Sequence, residues 1–584
     1  MTGFRSTLAA IWRLAIPYFR SEDRGPGLVL LGAIVSIELA VVADTVLINQ
    51  WRARFYNALQ EYDWDSLVRE LWVFAALAGA FIVLRVYQTY LNQWLQIRWR
   101  RFLTTRYLRD WLGDGNHYRM QLLGDAADNP DQRISEDIRQ FIDGGTNGVG
   151  LLPMSLGLLN SIVTLGSFLT ILWGLSDVAQ LTLLGWEVPG YLVWIALIYA
   201  VFGTLLTHLI GRRLTALIYD QQHYEANFRF HLVRTRENSE QIALMRGETA
   251  ERERHMGRFA AIAANWMQIM KRTRELSFFT NLYSQVSIII PYVVLASAFF
   301  AKRVQLGGLM QTADAFSNVQ DALSFFVTVY RAFAEWRAVI ERLSGFEAAI
   351  QSAQQVSATR PTIDVRAGKG AELALSGLEV DLPDGKPIVA ADGIAFVPRD
   401  QALVTGPSGS GKSTLLRAIA GIWPFGRGEV AVPAGAKTMT LPQRPYLPID
   451  TLAAAVSYPA IGGTLDADRI RELLVAVGLP ALSTRLADEE HWNRMLSLGE
   501  QQRLAIARAI LHAPDYLLLD EATASLDEPA EAALYRLLHE RLPGTAIISI
   551  GHRSTLAAFH RRHLALTPEG DHFRVLEAAP VMAH

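Results

Sequence analysis

The 584-residue sequence contains no cysteine and carries almost no net charge. Without cysteine, disulfide bridges, thiolate metal sites and cysteine nucleophiles are excluded. A formal net charge of -2 argues against a dedicated nucleic-acid-binding protein, since such proteins usually have a strong basic excess. Hydrophobic residues make up 51% of the chain and are unevenly spread, with long apolar runs within residues 1–345 and an ordinary soluble α/β pattern over 362–578.

Long apolar stretches in the first part of the chain predict membrane-spanning helices. A helix needs roughly 20 mostly apolar residues to cross a bilayer, and five stretches meet that requirement: 27–49, 71–95, 149–174, 190–211 and 278–301. A sixth stretch, 308–332, is interrupted by polar residues, but an even number of spans is needed to keep both ends on one side. The alternative for any single stretch is a buried helix of a large soluble protein.

The charge of the connecting loops predicts their orientation. The connection 97–148 carries eight arginines and the connection 212–276 carries twelve lysines and arginines, whereas residues 175–190 carry none. Both long loops and both termini are therefore expected in the cytoplasm, where the loops would extend as helical stalks. Residues 1–25 contain an amphipathic segment broken by Pro17, which indicates an interfacial elbow helix rather than a signal peptide.

A phosphate-binding motif lies in the second part of the chain. The strand-like run Ala402–Val404 leads into a glycine-rich turn and then into a helical pattern. Such a turn lets backbone N–H groups close around phosphate, and the helix adds its positive end. We expect Lys412 to reach the β- and γ-phosphates and Ser413 to ligate Mg²⁺. The motif consists of Gly406, Pro407, Ser408, Gly409, Ser410, Gly411, Lys412, Ser413 and Thr414.

A second motif completes a nucleotide-hydrolysing site. The apolar strand Tyr516–Leu519 ends in two acids, Asp520 and Glu521. Asp520 is placed to hold Mg²⁺ through water, and Glu521 to orient or deprotonate the attacking water. Alone this pattern is weak evidence, but with the phosphate-binding motif it predicts hydrolysis of a nucleoside triphosphate.

Between these motifs, Leu496–Arg503 resembles the Leu-Ser-Gly-Gly-Gln signature of ATP-binding cassette (ABC) transporters. At fitting positions Gln443 resembles the Q-loop, Ser525–Asp527 the D-loop and His552 the switch histidine. The resemblance implies ATP and Mg²⁺ as cofactors, with Ser413, Gln443 and Asp520 around the metal. It also implies catalytic roles for Glu521, His552 and Gln443, and nucleotide contacts from Ser497, Gly499, Glu500 and Asp527.

The resemblance implies a homodimer, because two cassettes stack head to tail around two ATP molecules and this chain has only one set of motifs. Ser497 and Gly499 would then act on nucleotide held by Lys412 of the other copy. Two departures from the family pattern stand out. Leu498 and Glu500 replace Gly and Gln in the signature, which predicts an altered rate. The region Asp381–Gly385 also lacks the aromatic residue that usually stacks on adenine.

The order of the segments resembles the exporter-type ABC fold, an all-α six-span transmembrane domain followed by an α/β P-loop NTPase domain. We expect an elbow at 1–25, the transmembrane domain at 26–345, a linker at 346–361 and the nucleotide-binding domain at 362–578. The loop sequences Asn129–Ile134 and Glu237–Ala243 are similar to those of the subfamily D peroxisomal fatty-acyl transporters and of the bacterial SbmA/BacA-like family. Asn129–Ile138 is our candidate for a coupling helix that docks on the cassette.

Polar residues within the spans predict a hydrated, partly acidic cavity. Charged groups inside a membrane are costly and usually face water, although they also join helices through hydrogen bonds, which is the alternative. On the sixth span, polar residues recur every three or four positions and form one helix stripe: Gln311, Asp314, Asn318, Asp321, Ser324 and Thr328. The predicted cavity residues are Glu38, Arg85, Asp314, Asn318 and Asp321.

These features predict an ATP-driven transporter, working by alternating access, for polar or cationic cargo such as peptides or cobalamin. An excess of arginine over lysine favours a bacterial cytoplasmic membrane. The bilayer, a second copy and the cargo are the expected partners, with no nucleic acid. Two alternatives stay open, a fatty-acyl or lipid transporter and an ATP-gated channel or regulatory subunit, and the direction of transport is also open.

Overall fold

The computed structural model describes residues 2–124, 129–145, 148–178, 182–183, 186–358, 362–368, 370–461 and 464–578. These residues form two compact units. The first unit comprises the described residues of 1–108 and 129–346, and the second those of 109–128 and 347–584. The division does not follow the chain order, because a segment that begins at Arg109 belongs with the C-terminal part.

Helices dominate the chain before residue 358. A short antiparallel ribbon of β1 (Thr182–Leu183) and β2 (Trp186–Glu187) lies among them. The helices are α1 (Thr2–Phe19), α2 (Arg24–Glu61), α3 (Trp64–Leu112), α4 (Asn116–Leu122), α5 (Pro130–Gln132), α6 (Ile138–Asp143), α7 (Leu151–Val178), α8 (Tyr191–Glu237), α9 (Ser239–Leu244), α10 (Glu248–Phe300) and α11 (Leu306–Ala358).

Within the described residues, five helices are long and apolar enough to cross a membrane: α2, α3, α7, α8 and α10. They coincide with the five strong predicted spans, three of which (149–174, 190–211 and 278–301) extend one or two residues beyond a helix end. The predicted sixth span lies inside α11, a 53-residue helix whose composition does not place it among the five. The helix continues through Ala358, into the segment predicted as a linker.

The second long loop is built as helical legs, as the sequence predicts. Helix α8 continues to Glu237, and α10 begins at Glu248 after the short α9. From residue 212 to the end of α8, a rise of 1.5 Å per residue gives a leg of roughly 40 Å. Asn265 of α10 joins the two legs, because its side-chain amide donates to the Leu217 carbonyl at 2.8 Å and to Gln221 Oε1 at 3.0 Å.

The predicted coupling helix lies in the first unit, and its docking on the nucleotide-binding domain stays a prediction. Asn129–Ile138 belongs to the first unit, where the buried Asp137 carboxylate accepts hydrogen bonds from Arg133 at 2.5 Å and from Arg342 at 2.6 and 2.9 Å. These bonds anchor the segment on α11. Within the second unit, α4 packs on the apolar core through Leu122.

The second unit has a mixed sheet with helices α12 (Lys412–Ile419), α13 (Leu452–Ser457), α14 (Ala467–Ala476), α15 (Trp492–Met495), α16 (Leu498–His512) and α17 (Glu528–Arg541). Its strands are β3 (Asp364–Gly368), β4 (Leu373–Asp381), β5 (Pro387–Ala391), β6 (Ile394–Phe396), β7 (Gln401–Thr405), β8 (Gly426–Pro433), β9 (Thr438–Leu441), β10 (Asp450–Thr451), β11 (Glu489–Glu490), β12 (Tyr516–Asp520), β13 (Ala546–Ile550), β14 (Arg562–Glu569) and β15 (His572–Ala578).

A parallel core within the main sheet runs in the order β9–β12–β13–β7–β14. Residues of β12 alternate between its two faces, since Leu517 and Leu519 enter one apolar cluster and Tyr516 and Leu518 the other. All four are buried. Both faces of the strand are therefore covered, which explains its continuous apolar sequence.

Buried polar side chains form a row of hydrogen bonds beside β13. Tyr535 donates to Ser549 Oγ at 3.1 Å, and Ser549 lies 2.8 Å from His560 Nε2. His560 Nδ1 lies 2.8 Å from the Leu556 carbonyl, which can only accept. Nδ1 therefore carries the proton, and Nε2 accepts from Ser549. Burial lowers the pKa of His560 to about 4.

We predict that acid destabilises this region through His560. Its pKa of about 4 in the folded chain lies below the ordinary value of about 6.5. The neutral imidazole therefore stabilises the fold above pH 6.5, and up to roughly 3 kcal/mol is lost as the pH falls towards 4. Hydrogen exchange of the β13 amides, corrected for intrinsic rates, should show this loss in the wild type and a smaller pH dependence in His560→Gln. Equal pH dependence in both proteins would contradict the assignment.

Candidate nucleotide site and membrane cavities

Four parallel strands bring the phosphate-binding loop and the predicted catalytic residues to one edge of the sheet. Across the pairs, Leu441 of β9 is level with Leu519, Asp520 with Ile550 of β13, and Ile550 with Val404 of β7. Parallel strands in step end together, so the residues that follow them converge. The phosphate-binding loop follows β7, Gln443 follows β9, Glu521 follows β12 and His552 follows β13.

Lys412 opens α12 and is held inside the loop that precedes it. Its ammonium donates to the carbonyls of Gly406 at 3.0 Å and Pro407 at 2.7 Å. Burial lowers the pKa of Lys412, an effect opposed by the carboxylates of Glu521 and Asp520. Gly411 has φ +86°, and a Cβ there would lie 2.6 Å from Val389, so only glycine fits this turn.

Ser413 and Asp520 lie together, as predicted for a metal site. Ser413 donates to Asp520 Oδ1 at 2.7 Å. Burial raises the pKa of Asp520, and the Ser413 hydrogen bond opposes that rise. Hydroxyl and carboxylate oxygens are the donors that Mg²⁺ prefers. No cluster of three or more His, Cys, Asp or Glu suited to a metal occurs in the described residues.

The three predicted catalytic residues meet at Glu521. Its Oε2 accepts from Gln443 Nε2 at 3.1 Å, and its Oε1 lies 3.1 Å from His552 Nε2. Glu521 has φ +50°, a left-handed conformation that is unfavourable for a residue with a Cβ. Its backbone N–H donates to the Ile550 carbonyl at 3.2 Å, which fixes that turn.

The signature residues form the start of α16. Ser497 caps this helix, and Glu500 Oε2 accepts from the Ser497 N–H at 2.9 Å and from its hydroxyl at 2.7 Å. This capping box gives the glutamate that replaces glutamine a local structural role. Gly499 lies against the D-loop, since a Cβ there would be 3.3 Å from Leu526. Asp527 caps α17 through a 2.9 Å bond from the Ala530 N–H.

Sequence reasoning missed two connecting residues, Gln502 and Arg553. The Gln502 amide is fully buried, donating to the Gln443 carbonyl and accepting from the Ser525 N–H, each at 3.0 Å. Arg553 donates to the carbonyls of Leu526 at 2.7 Å and Ala524 at 3.1 Å. These residues tie the Q-loop and the region after β13 to the D-loop. The sequence signal that could have identified Gln502 is its position at the start of a mostly apolar helical run.

In the first unit, Glu38 and Arg85 line one cavity of about 530 Å³. The buried Glu38 carboxylate lies 3.9 Å from Arg85 and accepts from the Asn160 amide at 2.6 Å. Arg85 also donates to Gln88 Oε1 at 2.9 Å. The acid is therefore paired, and the cavity wall is polar without a free negative charge from Glu38.

The other predicted cavity residues lie elsewhere. Asp314 lines a second cavity of about 340 Å³, where it pairs with Arg52 and accepts from Asn49 at 2.8 Å. Asn318 turns back to donate to the Asp314 carbonyl at 2.9 Å. Asp321 is exposed and lines neither of these cavities. The Thr328 side chain lies outside the described residues.

The first cavity also contains amides that the sequence analysis did not use. Gln88, Asn92 and Gln96 recur every four residues on α3, with Gln93 beside them, and all four line the cavity. We call these four residues the α3 amide row. Their helical spacing was the signal that could have found them.

We predict that Glu521→Gln lowers steady-state ATP hydrolysis about 100-fold or more while ATP binding is retained, because the amide cannot accept a proton from water. Glu528→Gln is the matched control, since Glu528 is an exposed acid in the first turn of α17. The measurements are phosphate release and binding of a fluorescent ATP analogue. Hydrolysis at the wild-type rate in Glu521→Gln would refute the role.

We predict that Gln502→Leu lowers kcat for ATP hydrolysis roughly 10-fold by misplacing the Q-loop and D-loop. ATP affinity should change little, because Gln502 contacts neither the phosphate-binding loop nor Ser413. Gln501→Leu removes a buried amide from the same helix that bonds instead to the Asn493 and Leu496 carbonyls. A similar loss of kcat in both variants at equal thermal stability would contradict the specific role of Gln502.

Comparison with solved structures supports the exporter-type architecture. The chain superposes on a bacterial Atm1-family ABC exporter with ATP bound with a TM-score of 0.69, covering 93% of this chain and 94% of that chain. The two sequences are 16% identical, so the likeness concerns the fold.

Two relatives match along nearly the whole chain. The inner membrane ABC transporter ATP-binding protein YddA of Escherichia coli K12 is 34% identical over 553 residues, covering 94% of this chain and 96% of YddA. The human lysosomal cobalamin transporter ABCD4 is 26% identical over 606 residues, covering 97% and 95%.

Two family models match in sequence order. Residues 12–300 match the ABC transporter transmembrane region 2, and residues 395–524 match the ABC transporter family model. These matches agree with the helical first unit and with the nucleotide residues gathered at one sheet edge. The chain therefore belongs to the ABC transporters, as an ATP-hydrolysing membrane protein with an exporter-type transmembrane region followed by one ATP-binding cassette.

Proposed function

We propose that two copies of this chain form a transporter that uses ATP to move polar cargo, such as peptides or cobalamin, across a bacterial inner membrane by alternating access. The observation that carries the proposal is the first cavity, about 530 Å³ in size and lined mainly by polar side chains, in a unit that contains five helices apolar enough to cross a membrane. Polar groups in such helices are costly unless they face water, protein partners or a polar ligand.

The nucleotide site supports a dimer. Ser497 is exposed at the N-terminus of the 15-residue α16, where backbone N–H groups favour an anion. The chain has one such signature and one phosphate-binding loop, so a symmetric pair would supply each to the other. The Ser497 hydroxyl, which donates to Glu500, would exchange that bond for a phosphate oxygen.

The residues that would act on ATP each have a defined place. Lys412 would exchange its bonds to the Gly406 and Pro407 carbonyls for phosphate oxygens. Ser413, Asp520 and the Gln443 side-chain oxygen would hold Mg²⁺, whose charge would offset that of the phosphates. Glu521, held between Gln443 and His552, would orient and deprotonate the attacking water.

Two observations support the proposed membrane and the proposed orientation of the chain in it. YddA is an inner membrane protein by its name, and the arginine-rich loops favour the cytoplasmic side for the cassette and both termini. The human relative is named for cobalamin transport, which supports polar cargo.

The two cavities are polar, but the acidic side chains that line them are paired with arginines. Glu38 is paired with Arg85, and Asp314 with Arg52. These two acids therefore do not support the sequence-based prediction of cationic cargo. The polar lining of the cavities still supports polar cargo.

We predict that proteoliposomes with outward-facing cassettes will show ATP-dependent movement of a labelled peptide or of cobalamin, because each cargo is polar and hydrophilic. Measuring uptake into and release from the vesicles gives the direction. Glu521→Gln should abolish movement, whereas Glu528→Gln should retain it.

ATPase activity with movement of neither cargo would contradict the proposal. Stimulation of that ATPase by fatty acyl-CoA would then indicate a lipid transporter. Single-channel conductance without net pumping would indicate an ATP-gated channel.

A further inference from the structure

We infer that the first cavity recognises uncharged, amide-bearing cargo through the α3 amide row. The inference rests on the proposed transport function and narrows its substrate class. The amide row lies on one face of α3 and covers about 12 Å along the helix axis from Gln88 to Gln96. Gln93 and Gln96 also line an adjoining pocket of about 110 Å³ with Arg100 and Arg139, so the amides extend beyond the first cavity.

The charged groups of the cavity are already paired. Arg85 lies near Glu38 and donates to Gln88, while Asn160 donates to the other Glu38 oxygen. A cation entering the cavity would lose water without gaining a free counter-charge, because both Glu38 oxygens already have partners. Since an unpaired charge is costly to desolvate, the site favours uncharged over cationic cargo.

The groups that remain suit an amide. A carboxamide offers donors and an acceptor at once, and it is matched best by another amide. Asn92 Oδ1 is buried and has no hydrogen-bond partner among the described residues. Asn92 lines the cavity, so rotation of its side chain would bring this oxygen to the N–H of a ligand and give the unpaired acceptor a partner.

One wall of the cavity is apolar. Phe325 lies against α7 at Gly157, where a Cβ would come within 2.8 Å of its ring, and Leu156 and Pro153 lie beside it. The cavity therefore pairs an amide surface with an apolar surface. This combination fits a peptide backbone with small apolar side chains, or another solute that carries primary amides, and the volume lies in the range of ~300–1,000 Å³ usual for ligand pockets.

The test measures equilibrium binding to the full-length chain in lipid nanodiscs, without ATP. The probes are a blocked, uncharged tetrapeptide amide of alanine, the same peptide with two lysines, and cobalamin, which carries primary amides on a macrocycle. We expect the uncharged peptide to bind more tightly than the lysine peptide. Comparison with cobalamin separates a peptide backbone from other amide sources.

Asn92 is the residue to change. The uncharged peptide and cobalamin are the two amide probes. For whichever of them binds the wild type more tightly, Asn92→Leu should weaken binding about 3- to 10-fold, the usual effect of losing one hydrogen bond. Asn92→Asp places a carboxylate of the same shape there and should reverse the preference in favour of the lysine peptide. Asn281→Leu is the matched control, because that exposed amide bonds to its own helix at Ser277 and should leave affinity unchanged.

Several results would overturn the inference: tighter binding of the lysine peptide by the wild type, no binding of either amide probe, or unchanged affinity in Asn92→Leu. These outcomes differ from failure of the proposed function. A chain that moves cobalamin or peptide with ATP, but with affinity independent of Asn92, keeps the function and loses this site. A chain that binds the amide probes through Asn92 but moves nothing keeps the site and loses the transport function.

Discussion

The cassette depends on the register of four parallel strands. Backbone hydrogen bonds hold β9, β12, β13 and β7 level, so the loops that follow them meet at one edge. A slip of one residue in β12 would move Asp520 by about 3.3 Å and exchange the two faces of the strand. Apolar clusters on both faces oppose that slip. The separation of Glu521 from Gln443 and His552 is therefore a consequence of core packing.

Two polar side chains, the buried Gln502 and the partly exposed Arg553, connect the loops that the strands bring together. Gln502 joins the Q-loop to the D-loop, and Arg553 joins the region after His552 to the D-loop. The buried Gln502 amide loses its water on folding and must bond to protein instead. Each connector thereby limits the independent movement of two loops. Contacts to nucleotide at one loop can in this way influence the position of another.

The first unit obeys the same constraint in an apolar environment. Glu38 has Arg85 and Asn160 as partners, whereas Asp314 has Arg52 and Asn49. Pairing removes the cost of an isolated charge and leaves the cavities polar. It also changes the chemistry expected from the sequence, where these acids indicated a preference for cations. Amides, which carry no net charge, then become the groups that face the first cavity.

The sequence by itself determined what depends on local composition and spacing: five apolar spans, the phosphate-binding loop before α12, and the acids at the end of β12. The tertiary structure alone decided which distant groups became partners. Glu38 meets an amide 122 positions away, Asn129–Ile138 is anchored on α11 through Asp137, and α4 packs on the cassette core. Periodicity identifies which face of an element is apolar or polar, but the packing of whole helices and sheets selects the residue that lies opposite.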